Sequence, residues 1–66
     1  MIGGRIKNYL DEKGIKQRFV ADRAGLSDSV MSDICNEKRK VDAVEYYLIC
    51  KALQLPLDYF LEGIEE

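Results

Sequence analysis

Residues 17–36 read QRFVADRAGLSDSVMSDICN, and this stretch decides the fold. Phe19, Val20, Ala21 and Ala24 place apolar groups at helical spacing, and Gly25 follows as a residue that can take the left-handed turn at a helix end. A short helix over residues 17–24 is predicted. Ser27 is a good N-cap, and after it Met31, Ile34 and Cys35 form an apolar stripe, so a second helix is predicted over residues 28–35, with Asp28, Ser29, Ser32 and Asp33 facing outward. Between the two lie only Gly25, Leu26 and Ser27. A close crossing of two helices needs a small side chain at the contact, which Ala21 supplies, a glycine for the turn and an apolar residue, Leu26, to pin it.

Outward from this pair, Ile2, Ile6, Tyr9 and Leu10 predict a preceding helix over residues 3–13, stopped by Gly14, with Ile15 turning inward. On the other side, residues 36–41 are polar and basic and read as a loop. Asp42 and Glu45 have capping-box spacing for a fourth helix reaching Leu53. Val44, Tyr47, Leu48, Cys50 and Leu53 cover so much of its circumference that it is expected to be the central, most buried helix. Pro56 at a helix start, followed by Leu57, Tyr59, Phe60 and Leu61 and closed by Gly63, predicts a short fifth helix. The expected fold is all-α, five short helices in one domain over residues 1–66, without strand or internal repeat.

The bulk composition restricts function. With 66 residues, 47% hydrophobic and one proline, the chain can bury one modest core and is neither disordered nor low-complexity. No apolar run approaches the roughly 20 residues of a membrane span, and no signal peptide opens the chain, so a cytoplasmic protein is expected. Histidine is absent and the two cysteines, Cys35 and Cys50, fall among apolar helical residues, where reduced thiols behave as small hydrophobes. No metal set, cofactor, nucleophile and base pair or small-molecule site is evident, and an enzyme is not expected. The net charge of −2 runs against a nucleic-acid protein, yet it is unevenly spread: residues 1–14 carry +1, residues 15–41 carry +2 and residues 42–66 carry −5. Such a chain can present a locally positive face.

Two short helices joined in this way have helix-turn-helix geometry, in which the second helix lies in the DNA major groove and the first crosses the backbone. From Ile6 through Phe60 the sequence resembles the Cro and phage-repressor (XRE-type) regulators, whose fold is lambda-repressor-like. The resemblance rests on Gln17, Ala21, Gly25, Met31, Ile34, Asn36, Ala52-Leu53 and the close Leu57-Asp58-Tyr59-Phe60. It implies that Gln17 and Asn36 hold phosphates, with Lys38, Arg39 and Lys40 nearby, and that Asp28, Ser29, Ser32 and Asp33 reach base edges. It further implies a prokaryotic or phage-encoded regulator, most often a repressor, that binds a palindromic operator in double-stranded DNA as a homodimer. Its acidic C-terminal third is the expected subunit contact.

Three departures qualify the resemblance. Lys16 stands where relatives often have a capping Ser, Thr or Asn, which removes a cap and adds a cation suited to phosphate. Glu37 stands where glycine often follows the asparagine, so a different turn and a charge repelling phosphate are expected there. Leu10 and Cys35 replace a frequent arginine and glutamate pair, an exchange that leaves no charge unpartnered. Other readings of single residues stay open: Asp28 also complements a helix N-terminus, Asp33 also fits a solvated surface acid, and Val30 fits the core edge as well as a thymine methyl contact. Tyr46, Tyr47, Tyr59 and Phe60 read as core or subunit-contact residues. The same fold could alternatively serve as a protein-interaction module that has lost DNA binding, using Asp28, Asp33 and Glu37 against basic groups.

Overall fold

A computed structural model describes residues 1–64 and shows four helices: α1 (Ile2–Lys13), α2 (Gln17–Ala24), α3 (Asp28–Cys35) and α4 (Ala43–Leu53). Helix α1 packs on α3, and α2 packs on both α3 and α4. Ile6, Leu10, Val20, Ala21, Met31, Ile34, Ile49 and Cys50 are fully buried between them. Leu10 and Cys35 both lie in this core, and no buried side-chain polar atom among the described residues is left without a partner. Both cysteines are free and buried, and burial pushes their thiols up from the ordinary range, which keeps them protonated and unreactive.

All four helices end in the same kind of closure, one residue later at α3 than elsewhere. The second residue past α1, α2 and α4, and the third past α3, donates its N–H back to a carbonyl five residues earlier: Ile15 to Leu10 (2.8 Å), Leu26 to Ala21 (2.9 Å), Leu55 to Cys50 (2.9 Å) and Lys38 to Asp33 (2.8 Å). This Schellman closure requires a left-handed residue just before the donor. Gly14 and Gly25 supply it for α1 and α2, whereas Glu37 (φ 60°) and Gln54 (φ 59°) supply it for α3 and α4. Ile15, Leu26 and Leu55 then pack on the core. Glutamine in the left-handed region is held there against its own preference, so Gln54→Gly is expected to raise stability by about 1 kcal/mol, or roughly 5 °C in thermal midpoint. A lower midpoint in differential scanning calorimetry would show that the Gln54 side chain matters more than its backbone.

Two expectations for the C-terminal half are corrected. Helix α4 is not the most buried: Val44 is 67% and Tyr47 48% exposed, and its inward stripe is Tyr46, Ile49, Cys50 and Leu53. Its apolar residues run nearly all round, and packing on α2 selects which of them face inward. Residues 56–62 form no fifth helix. They are successive turns, Tyr59 to Pro56 (3.1 Å) and Leu61 to Asp58 (3.1 Å), each bond spanning three residues instead of four. Carbonyls in this segment are claimed from outside it. Arg5 on α1 donates to those of Phe60 (3.2 Å) and Glu62 (2.5 Å), and the Tyr46 hydroxyl donates to that of Leu57. Burial pushes the Tyr46 phenol up to about 12, so it remains a donor throughout the neutral range. Buried Phe60 completes the closure by meeting Tyr9, Tyr46 and Tyr59 edge to face, with centroids 5.1–6.4 Å apart. No helix among the described residues is long and apolar enough to cross a membrane.

Candidate nucleic-acid interface

The unit formed by α2 and α3 has a three-residue connection whose parts behave as their chemistry dictates. Gly25 takes the left-handed conformation (φ 73°), Leu26 is partly buried against the core, and Ala21 is fully buried at the crossing. Ser27 then caps α3, its Oγ accepting from the Val30 N–H at 3.1 Å. Met31, Ile34 and Cys35 are buried beneath α3, while Asp28 and Ser29 on its first turn are exposed and Ser32 and Asp33 are half-buried. A short helix is thus fixed to the core by one face and presents small polar side chains on the other.

A helix-turn-helix family model matches the chain over residues 6–60. The chain belongs to the Cro and phage-repressor (XRE-type) helix-turn-helix family. Comparison with curated proteins finds no match. Membership of this family marks the domain as a DNA-binding transcription regulator, with α2 and α3 as the two helices of its helix-turn-helix.

Within this helix-turn-helix, Lys16 occupies the N-cap of α2 in extended backbone and makes no side-chain cap, as its chemistry predicts. Gln17 is the first residue of α2 and is half-buried. Asn36 closes α3 and donates from Nδ2 to the Ser32 Oγ at 3.2 Å, which ties one candidate phosphate contact to one candidate base contact. Its backbone is not left-handed (φ −93°); Glu37 takes that role where relatives often have glycine. The expectation of a phosphate-repelling Glu37 is altered by its partners. Its Oε2 accepts from the Gly4 N–H at 3.0 Å and its Oε1 meets the Met1 ammonium, and these contacts, the ammonium foremost, hold its carboxyl below the usual range.

The basic loop divides. Arg39 donates to Glu45 at 2.6 Å, and the same carboxylate closes the capping box by accepting from the Asp42 N–H at 3.1 Å. Lys16, Lys38 and Lys40 form no ion pair among the described residues and are exposed. Arg18, absent from the residues singled out in the sequence, lies on the first turn of α2, 86% exposed at its side chain, with Nε 3.7 Å from Asp28 Oδ2 across the turn. An exposed pair at this distance contributes at most about 1 kcal/mol, but it offsets the Asp28 charge at the start of α3. The one sequence signal for Arg18 was its place beside Gln17.

Proposed function

We propose that the protein is a sequence-specific repressor that binds a palindromic operator as a homodimer in the cytoplasm, without catalytic activity or cofactor. The observation that carries this reading is the polar face of α3, Asp28, Ser29, Ser32 and Asp33, flanked by Lys16, Gln17 and Arg18 before it and by Asn36, Lys38 and Lys40 after it. Phosphate contacts fix orientation and base contacts carry sequence information, and this layout offers candidates for both at the two ends and along the polar face of α3. Serines hydrogen-bond to several bases, and a carboxylate accepts from cytosine N4. Arg39 is a weaker candidate for phosphate than the two lysines beside it, because Glu45 already holds its guanidinium.

One copy makes few base contacts, and two copies on half-sites about one helical turn apart double them. The C-terminal segment supports such pairing: Leu57, Tyr59 and Leu61 are exposed large apolar residues next to acidic Asp58 and Glu62, a composition that suits a subunit contact away from phosphate.

The experiment is selection of bound duplexes from a random pool, followed by titration of the winner at several salt concentrations. A palindromic winner is expected. Lys38→Ala should flatten the slope of log affinity against log salt by about 1, the signature of one lost phosphate contact, with little change in sequence preference. Gln17→Ala should weaken binding. An absence of enrichment at low salt would shift the reading to a protein-interaction module on this fold.

A further inference from the structure

Glu37 is in an unfavourable backbone conformation for a residue with a side chain, follows the recognition helix directly, and places a negative charge next to Asn36 and Lys38. In a DNA-binding domain each of these features counts against it. The structure shows what its side chain does instead: the carboxylate crosses to the first turn of α1, where helical N–H groups have no partner within the helix, and accepts from Gly4. The approach is close on the backbone side as well, since a Cβ on Gly3 would lie 1.9 Å from the Ile34 carbonyl oxygen and one on Gly4 would lie 2.7 Å from Glu37 Oε2. The end of α3 and the start of α1 are therefore in direct contact through two neighbouring glycines.

We infer that Glu37 is a positioning residue for DNA binding: by tethering the turn after α3 to the N-terminus of α1, it fixes where Asn36, Lys38 and Lys40 stand relative to the recognition helix. The tether supplements the closure from Lys38 to Asp33, so the turn is held both by its own backbone and by a second helix. It also directs the charge toward the positive end of the α1 dipole. The inference rests on the DNA-binding reading above and names the residue that sets the geometry of one flank of that site.

The test compares wild type, Glu37→Gln, Glu37→Ala and Glu37→Gly on the selected duplex at one salt concentration, each well below its melting midpoint. Plain electrostatics predicts that all three variants bind more tightly, because a negative charge near phosphate is gone. The tether predicts the opposite sign: Glu37→Ala and Glu37→Gly weaken binding by about tenfold, the loss of one well-placed charged contact. Glu37→Gln, whose amide oxygen still accepts from Gly4 but which loses the ion pair with the Met1 ammonium, binds between wild type and the alanine variant. Glycine suits the left-handed position, so Glu37→Gly keeps the test valid if the alanine variant unfolds. A second readout needs no DNA: hydrogen exchange at the Gly4 amide should quicken in the alanine and glycine variants. Tighter or unchanged binding by those two variants, or unchanged exchange, overturns the inference. Failure of the wild type to select any duplex overturns the DNA-binding reading itself, and the exchange data still decide whether Glu37 holds the turn.

Discussion

Replacing Gly3 by alanine is expected to lower the thermal midpoint by on the order of 10 °C, an overpacking penalty of about 2 kcal/mol in a domain of this length. Helix propensity pulls the other way, since alanine is better than glycine within a helix by about 1 kcal/mol. The geometry decides between them. The added methyl would lie 1.9 Å from the backbone carbonyl oxygen of Ile34, which no side-chain rotation can relieve, so α1 must move off α3. That carbonyl also accepts from the Glu37 N–H at 3.1 Å, and a displacement would reach the turn after α3. Gly4→Ala is the internal control. Its methyl would meet only the end of the flexible Glu37 side chain, and a near-zero change is expected there. Equal midpoints for the two variants in thermal melts would rule out the close approach of α1 to α3.

Ile49→Ala is expected to remove about 2–5 kcal/mol, comparable to the whole stability of a domain this small, and to leave much of the protein unfolded near 37 °C. Ile49 is fully buried in the common core, so its truncation leaves a cavity that four short helices can only partly collapse. Val44→Ala on the same helix should change stability by less than about 0.5 kcal/mol, because Val44 is largely exposed. Urea unfolding followed by circular dichroism separates the two. If Val44 proved the costly one, the orientation assigned to α4 would be wrong.

The same contrast explains how much of the fold was legible in the sequence. Local signals gave accurate boundaries: Gly14, Gly25, Ser27 and the pairing of Asp42 with Glu45 stop and start helices through backbone conformation and short-range hydrogen bonds, and each acts as its chemistry predicts. The orientation of α4 was not legible, because a helix apolar nearly all round offers several stripes and only its neighbour chooses one. Nor was the loss of the fifth helix. Pro56 is an acceptable helix start, and the Leu57 carbonyl that would have accepted from Leu61 in a helix accepts instead from the Tyr46 hydroxyl, far away in the chain. Within the candidate site, the polar face of α3 follows from periodicity, and family resemblance marks Gln17 and Asn36. Three features depend on contacts between elements: the link of Arg18 to Asp28, the capture of Arg39 by Glu45 and the reach of Glu37 to α1. None leaves a local trace in the sequence, and the left-handed Glu37 and Gln54 lack the glycine that would have marked them.

The four helix endings share one kind of closure and differ in what comes next, and the difference bears on how chain length can change in this molecule. After α1, α2 and α4 the closing residue is Ile15, Leu26 or Leu55, each packed on the core; after α3 it is the exposed Lys38. An extra residue at one of the three apolar exits would pull a buried anchor out of place or turn the following helix out of phase with its stripe. Beyond Lys38 no buried anchor intervenes until Val41, and lengthening a loop of this kind adds only a fraction of a kcal/mol in closure entropy. Insertions are thus expected to be tolerated at the exit of α3 and excluded at its entrance, which leaves the domain one place where its reach beyond α3 can be altered without disturbing the pitch of α3 itself.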